Sequence, residues 1–332
     1  MLVFFIHISS SSNYDNSLND ITSVVNNYFD FIIKKLITPI AVPLFFIISG
    51  FTFFRNYDNS CYLKKLKSRI KTLVIPYLLW NILWTIFSII ISYSFISDYF
   101  IGREKFDISA QNIFLSIFHH MCNGPFWFIF NLIIFTIASP IIYYIMKNKY
   151  IGLICIVIVL LLMQCGISLP ESIFFESNSI VFYLIGCFYS IHCKKLFTFK
   201  TNKLGKILYG SIFSLCIVIN VLLLKNLIIL PRAIYILFLF VFAISFWRIS
   251  DIVVSDIKHK PFMTRSFMVF AMHVNISAII AKIFYIILPK SNFFSIPNTI
   301  FTVISTLIII NLVCIGLKKI SPKLYNLLSG ER

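Results

Sequence analysis

Charged side chains are scarce in this sequence. Asp, Glu, Lys and Arg together make up 12% of its 332 residues, against about 25% in an ordinary soluble domain. So few charges cannot cover the surface of a water-soluble enzyme of this size. Hydrophobic residues make up 59% of the chain and its mean hydropathy is +0.91, which excludes a disordered chain, because disorder needs low hydrophobicity. The composition therefore indicates an integral membrane protein.

Acidic residues are fewer still, and several motifs are missing. The chain has 12 Asp and Glu against 29 Lys and Arg, and no carboxylate falls in the middle of an apolar run. Ion-coupled carriers tend to use intramembrane carboxylates, so this absence counts against a transporter. The sequence has no glycine-rich motif for nucleotide phosphates and no C-x-x-C pair. We therefore expect no metal site, and we interpret the eight cysteines as buried thiols.

Long apolar runs are what the sequence has in abundance. Most are close to the length that crosses a bilayer as a helix, and residues 1–8 look like the second half of a further one. The runs cover residues 37–54, 73–97, 126–146, 150–169, 179–193, 204–224, 227–247, 266–288 and 298–317. They predict an all-α, polytopic membrane helix bundle of about ten transmembrane spans, the first apparently truncated. We expect residues 1–332 to form a single domain.

Basic residues are concentrated in every second loop. Counted along the sequence, 21 of the 29 Lys and Arg lie in these alternate loops, which include residues 55–71 and 194–206. By the positive-inside rule the basic loops face the cytoplasm. We therefore predict a cell-membrane protein with both termini in the cytoplasm. The predicted external loops are at about 9–36, 98–125, 170–178, 225–231 and 289–297. Nucleic acid is not an expected partner, because the charges are dispersed among apolar runs. The lipid bilayer is an expected partner.

Histidine is the residue type in these spans that is best suited to carry chemistry. His7 lies near the predicted external end of the first span, and His273 lies two turns into the run at 266–288. An imidazole titrates near neutral pH and can take a proton from a hydroxyl, so His7 is a candidate general base. The alternative for either residue is a histidine whose ring is satisfied by a neighbouring helix.

Two motifs lie in the first quarter of the chain. Ser49-Gly50, within the apolar run, permits close approach of another helix. Residues 64–71 then place five cations just before the next apolar run. This basic run is either a topology anchor in contact with anionic lipid or a binding site for the phosphates of a cytosolic cofactor.

Taken in order, a set of short segments resembles the acyltransferase-3 family of integral-membrane O-acyltransferases. The segments are Phe4-Phe-Ile-His-Ile8, Pro43-Leu-Phe-Phe-Ile-Ile-Ser-Gly-Phe51, the basic run ending in Arg69 with Pro76-Tyr77 and Trp80, Phe126-Trp-Phe128, and Ser266-Phe-Met-Val-Phe-Ala-Met-His273. The similarity extends from His7 to about His273, which is most of the chain. It is greatest to the branch that O-acetylates bacterial cell-surface polysaccharides.

The resemblance implies a reaction and a site. It implies transfer of an acyl group, expected to be acetyl, from acetyl-CoA at the cytoplasmic face to a hydroxyl of a cell-surface carbohydrate or its lipid-linked precursor. His7 then corresponds to the family's catalytic histidine, Arg69 and Lys67 to cations that bind the acyl-CoA, and Trp127 and His273 to substrate contacts. No metal is implied. Direct attack by the hydroxyl and a relay through an acyl-histidine are both compatible with this assignment.

The sequence departs from the family pattern in two places. The family usually carries an arginine several residues before the histidine, and the stretch before His7 has none, so we expect the natural chain to begin upstream. The basic run has lysine where the family often has arginine, which loosens a bidentate contact with phosphate. Two other functions stay open at this point: a membrane transporter that exports a polysaccharide or its precursor, and a non-catalytic membrane partner in glycan assembly.

Overall fold

A computed structural model describes residues 7, 20–94, 97, 105–167, 178–193, 203–254 and 264–330. The regular structure in these ranges is helical, which confirms the all-α prediction. The α-helices are α1 (Ile21–Asp30), α2 (Ala41–Phe54), α3 (Tyr62–Arg69), α4 (Ile75–Ser92), α5 (Ala110–Phe118), α6 (Trp127–Ile137), α7 (Ser139–Met146), α8 (Lys149–Gln164), α9 (Asn178–His192), α10 (Lys203–Leu224), α11 (Arg232–Val254), α12 (Ser266–Ile287), α13 (Ser295–Ile320) and α14 (Pro322–Ser329).

Every predicted apolar run that begins after residue 36 contains a helix. Within the described ranges, six helical segments are long and apolar enough to cross a membrane. A seventh span results if α6 and α7, which are bent by 67° at their junction, are counted as one. Helices α8 and α9 are apolar but shorter. The predicted first span lies outside the described residues except for His7. The chain is therefore a polytopic membrane bundle, and the count of ten stays a prediction.

The predicted external loop at 9–36 is wrong for its second half, because residues 21–36 are helical. Asp20 caps α1 by accepting a hydrogen bond from the backbone N–H of Ser23 at 2.8 Å, as N-cap aspartates do. A π-helical segment, Phe31–Leu36, then continues α1 towards α2. Residues 21–54 consequently form one continuous apolar helical segment with local breaks.

Helix α1 turns its polar side chains inward. Asn26 donates to the Asn292 carbonyl at 2.8 Å, and the Asn292 amide donates to the Ser23 hydroxyl at 2.9 Å. The outward face is mainly apolar, with the exposed side chains Ile21, Val24, Val25 and Tyr28 beside the exposed Asn27. Hydrogen-bonded polar groups inside and apolar groups outside suit a helix in a bilayer. The same Asn and Ser residues indicate a loop when the sequence is taken alone.

Helices α2 and α9 cross in backbone contact. A Cβ atom added to Gly50 would lie 2.3 Å from the Tyr183 carbonyl oxygen, and one added to Gly186 would lie 2.1 Å from the Ile47 carbonyl oxygen. A side chain at either position would push the two helices apart, so both positions require glycine. The close approach predicted from Ser49-Gly50 is therefore confirmed, and it fixes the face of α2 that carries Ser49.

Buried apolar side chains form two clusters. The first cluster, which includes Phe46, is built around α2 and α9; the second, which includes Trp80, is built around α4, α12 and α13. Phe128 and Leu132 of α6 pack against both clusters. Helix α6 therefore stands between two halves of the bundle, a place where ligand cavities commonly form.

Short helices also lie in other segments predicted as loops. Helix α5 falls inside the predicted external loop at 98–125, and α14 falls inside the basic C-terminal segment. Helix α14 is held on the start of α4, because the Trp80 indole donates to the Leu328 carbonyl at 2.9 Å. Gly330 ends α14 in the left-handed region at φ 70° and lies directly against the Thr72 backbone. This contact braces the turn that follows Arg69.

Candidate active site

A cavity of about 700 Å³ lies between the two halves of the bundle. Its wall includes four of the residues predicted from the sequence: His7, Arg69, Trp127 and His273. Residues of both apolar clusters line it, and so does the exposed face of α2 that carries Ser49. One cavity therefore joins the candidate base to a candidate cofactor cation.

The two predicted histidines meet in this cavity. The ring centroids of His7 and His273 are 5.5 Å apart, and the rings are inclined at 63°. His273 is only 2% exposed. Its Nδ1 atom lies 3.1 Å from the Val269 carbonyl and 2.8 Å from the Phe270 carbonyl. Both of those partners are acceptors, so Nδ1 carries the proton and the ring cannot rotate freely.

This contact also sets the depth of His7. His273 is the eighth residue of the 22-residue helix α12, so it lies about 10 Å along an axis of about 33 Å. With the predicted orientation, His7 therefore lies on the cytoplasmic side of the middle of the bundle. The end of the apolar run predicts a position near the external end of the first span, whereas the ring contact places His7 beside a residue in the first half of α12; the side of the membrane on which both lie stays a prediction.

Two cations pack on the aromatic residues that end α2; Arg69 lines the cavity, and Lys65 lies beside it on the same face of α3. The Arg69 guanidinium lies 5.5 Å from the centre of the Phe53 ring. The Lys65 ammonium lies 5.1 Å from the ring centres of Phe53 and Tyr57, and it donates to the Phe53 carbonyl. Contacts of this kind attract a cation by about 0.5–2 kcal/mol while leaving its other faces open to an anion.

Lys67 is placed differently. It is exposed and does not line the cavity, whereas Arg69 is partly buried in the cavity wall. The sequence prediction named Lys67 and missed Lys65. A signal for Lys65 was present, because residues four apart on a helix share a face and residues two apart do not. On α3, Lys65 and Arg69 therefore lie together and Lys67 faces away.

Tyr183 lines the cavity, and the sequence prediction missed it. It is 1% exposed, its ring stacks on Phe135 at 4.5 Å, and it lies close to Arg69. A tyrosine within an apolar run gives no signal of its own, because such residues are usually core. Lys282, an ionisable residue within α12, rests on the Tyr285 ring at 5.5 Å and is not part of the cavity wall.

A third group of polar residues lines the cavity rim near the start of α2 and α9. Lys34 forms an ion pair with Asp30 at 3.1 Å, and Asn178 accepts a hydrogen bond from Arg232 at 3.3 Å. Lys34 and Asn178 line the cavity, and both belong to loops predicted as external. Lys34 also lies in a π-helical segment, a distortion that is frequent at functional sites.

The described part of the chain contains no group of three or more His, Cys, Asp or Glu side chains arranged for a metal ion. His119 and His120 pack on the Phe130 ring, at 5.6 and 6.2 Å between centroids. Burial, and secondarily the neighbouring His119, lowers the pKa of His120 to about 4. His120 is therefore neutral at pH 7 and belongs to the packing of this turn.

Comparison with known proteins identifies a family for most of the chain. The family model Acyl_transf_3, an acyltransferase domain, matches residues 1–316. The match includes every predicted site residue and all of the cavity-lining residues. A search of curated proteins and a search of solved structures found no match.

Proposed function

Since this chain belongs to the acyltransferase-3 family, we propose that it transfers an acyl group, acetyl in the first instance, from acyl-CoA to a hydroxyl of a cell-surface carbohydrate or of its lipid-linked precursor. The single observation that carries the proposal is the shared cavity: His7 and His273 lie in the same wall as the guanidinium of Arg69. We further propose that residues 1–332 act as one integral-membrane domain.

The donor occupies the cation end of the cavity. Arg69 and Lys65 provide two positive charges on one face of α3, and their aromatic supports leave donors free for phosphate oxygens. Lys67, which is exposed, adds positive charge near the mouth of the cavity and so attracts the phosphates of the donor. The thioester then enters between the aromatic side chains of α2, α6 and α12. Because His7 is closer to the cytoplasmic side than its position in the sequence indicated, the thioester has only part of the bilayer to cross.

The acceptor enters from the rim marked by Lys34 and Asn178. Its hydroxyl reaches His7, with Trp127 offering an aromatic face to the sugar ring. His7 takes the hydroxyl proton as the oxygen attacks the thioester carbonyl. The carbon–sulfur bond then breaks, CoA leaves as the thiolate, and the proton on His7 passes to that sulfur. The His273 ring, held by two backbone carbonyls, keeps the His7 ring in position throughout.

The orientation of the chain is part of the proposal. The basic loops lie in the cytoplasm, the protein resides in the cell membrane, and both termini are cytoplasmic. Single cysteines placed at residues 98–125 and at 194–206 in a cysteine-free background test this. An impermeant reagent applied to intact cells should label the first loop and spare the second. The opposite labelling pattern would overturn the orientation, and with it the sides from which donor and acceptor enter.

The reaction itself is tested with purified protein in lipid nanodiscs. Labelled acetyl-CoA is offered with a panel of bacterial surface glycans and their lipid-linked precursors. Transfer of label to a glycan, released again by mild base as expected for an ester, supports the proposal. If no acyl-CoA binds and proteoliposomes instead move a glycan precursor across the membrane, the chain is an exporter and the proposal is wrong.

A further inference from the structure

Tyr183 is held in the cavity wall from several sides. Its ring stacks on Phe135 with the two centroids 4.5 Å apart, and it meets the Phe54 ring edge to face at 6.1 Å. The backbone is fixed as well, because the Tyr183 carbonyl oxygen lies 2.3 Å from the position that a Cβ atom on Gly50 would take. Close packing of this kind leaves the Tyr183 side chain little room to move.

The hydroxyl group of Tyr183 has a hydrogen to donate and no acceptor. The part of the chain that the structure describes supplies no hydrogen bond to this hydroxyl, although the residue is only 1% exposed. A buried tyrosine hydroxyl usually finds a partner, and one that does not costs free energy. Since Tyr183 lines the cavity, a molecule bound there can supply the missing acceptor.

Arg69 makes that acceptor an anion. The Tyr183 hydroxyl and the Arg69 guanidinium interact electrostatically, and both residues line the cavity. A guanidinium carries donors only, so Arg69 cannot accept the hydroxyl proton of Tyr183. Among the described residues, no carboxylate lines the cavity. The two neighbouring donors therefore lack a shared acceptor, and a negatively charged group bound between them would provide one.

We propose that Tyr183 is a second ligand of the phosphate that Arg69 binds, so that the phenol and the guanidinium together hold one phosphate group of acyl-CoA. This inference rests on the proposed function and adds a residue to its donor site. A phosphate oxygen accepts hydrogen bonds from both groups, and bonds to a charged acceptor are strong. The surrounding apolar wall strengthens them further. Because the Tyr183 ring is fixed, its hydroxyl determines where in the cavity this phosphate lies.

Equilibrium binding of acetyl-CoA to the purified protein in nanodiscs tests this, because Tyr183→Phe removes the hydroxyl and keeps the ring. The affinity should fall about tenfold, as expected for a lost hydrogen bond to a charged group. The melting temperature without ligand should stay the same or rise, because the variant no longer buries a hydroxyl without a partner. S-acetylpantetheine, which has the thioester but no phosphate, should compete for the site equally well in both proteins.

Tyr189→Phe is the matched control. Tyr189 lies on the same helix, is partly buried with its ring stacked on Phe240 at 6.0 Å, and does not line the cavity. Its replacement should leave the affinity for acetyl-CoA unchanged.

Three outcomes would overturn the inference. Tyr183→Phe could bind acetyl-CoA within twofold of the wild type, or it could fail to fold, which would show that the hydroxyl supports the fold. It could also lose as much affinity for S-acetylpantetheine as for acetyl-CoA, which would place the hydroxyl away from the phosphate. A wild type that does not bind acetyl-CoA is a different result, because it removes the donor and the proposed function as well.

Discussion

The two ends of the cavity are built in different ways. At the histidine end, the His273 ring is buried and held by two backbone carbonyls, and His7 rests against it. At the cation end, Arg69 and Lys65 lie on aromatic faces and stay partly accessible. Rigid support suits a group that must meet a reacting atom at a fixed distance. The long, flexible side chains of Lys and Arg can adjust to a flexible donor that carries several charges. The contrast fits the proposed function, in which the chemistry takes place at one end and the donor binds at the other.

Removing His7 should give the largest effect on the reaction. We expect His7→Ala to lower the rate of acyl transfer by about 10²–10⁴-fold, the usual contribution of a general base, and to leave the affinity for acetyl-CoA within about twofold. Steady-state kinetics and binding measurements on the same preparation check both parts. Retained transfer with lost donor binding would reverse the assignment of the two ends.

Removing Arg69 should act on binding instead of chemistry. Arg69→Ala should weaken acyl-CoA binding by about 1.5–3 kcal/mol, or roughly 10–150-fold, as expected for a lost hydrogen bond to a charged group. Lys67→Ala is the comparison variant: Lys67 is exposed and lies outside the cavity wall, so it should act only through its charge at the mouth and lose less affinity than Arg69→Ala. If the two variants lose affinity equally, the basic run acts only through its overall charge and Arg69 has no direct contact with the donor.

Removing His273 tests whether the rigid end depends on its support. His273→Ala loses hydrogen bonds worth about 1 kcal/mol each and the ring that contacts His7, so we expect about a tenfold fall in transfer with unchanged donor affinity. The pH profile of the reaction is the second readout, since a change in the surroundings of His7 should displace it. A variant with normal rate and profile would show that the ring contact has no part in positioning His7.

Replacing His120 should give the smallest effect, and it should act on the stability of the protein because His120 lies away from both ends of the cavity. Its pKa in the folded protein, about 4, is below the ordinary value, so between pH 6.5 and 4 the unfolded chain binds the proton more readily. Stability should therefore fall as the pH drops through this interval, by about 1–3 kcal/mol in total. His120→Asn, which tolerates the left-handed backbone at this position, should flatten the dependence of the melting temperature on pH. An unchanged slope would assign it to other groups.

Much of the architecture could be predicted from the sequence because it depends on local properties. Apolar runs long enough to cross a bilayer place most of the helices, and Ser49-Gly50 indicated where α2 meets another helix. Helix α1 could not be predicted in this way. Its Ser23 and Asn26 are polar, and only their hydrogen bonds with Asn292, far along the chain, make a helix with this inward face stable in a membrane.

The candidate site, too, could be predicted from the sequence only in part. By itself the sequence determined that this is a membrane protein, and its short motifs pointed to His7, Arg69, Trp127 and His273 as site residues. Residue type and spacing carry that information. Only the tertiary structure decided that His7 lies beside His273, that Lys65 shares a face of α3 with Arg69 while Lys67 faces away, and that one cavity is lined by both His7 and Arg69. These features depend on which helix faces pack together, and a pattern within one helix does not specify its partner.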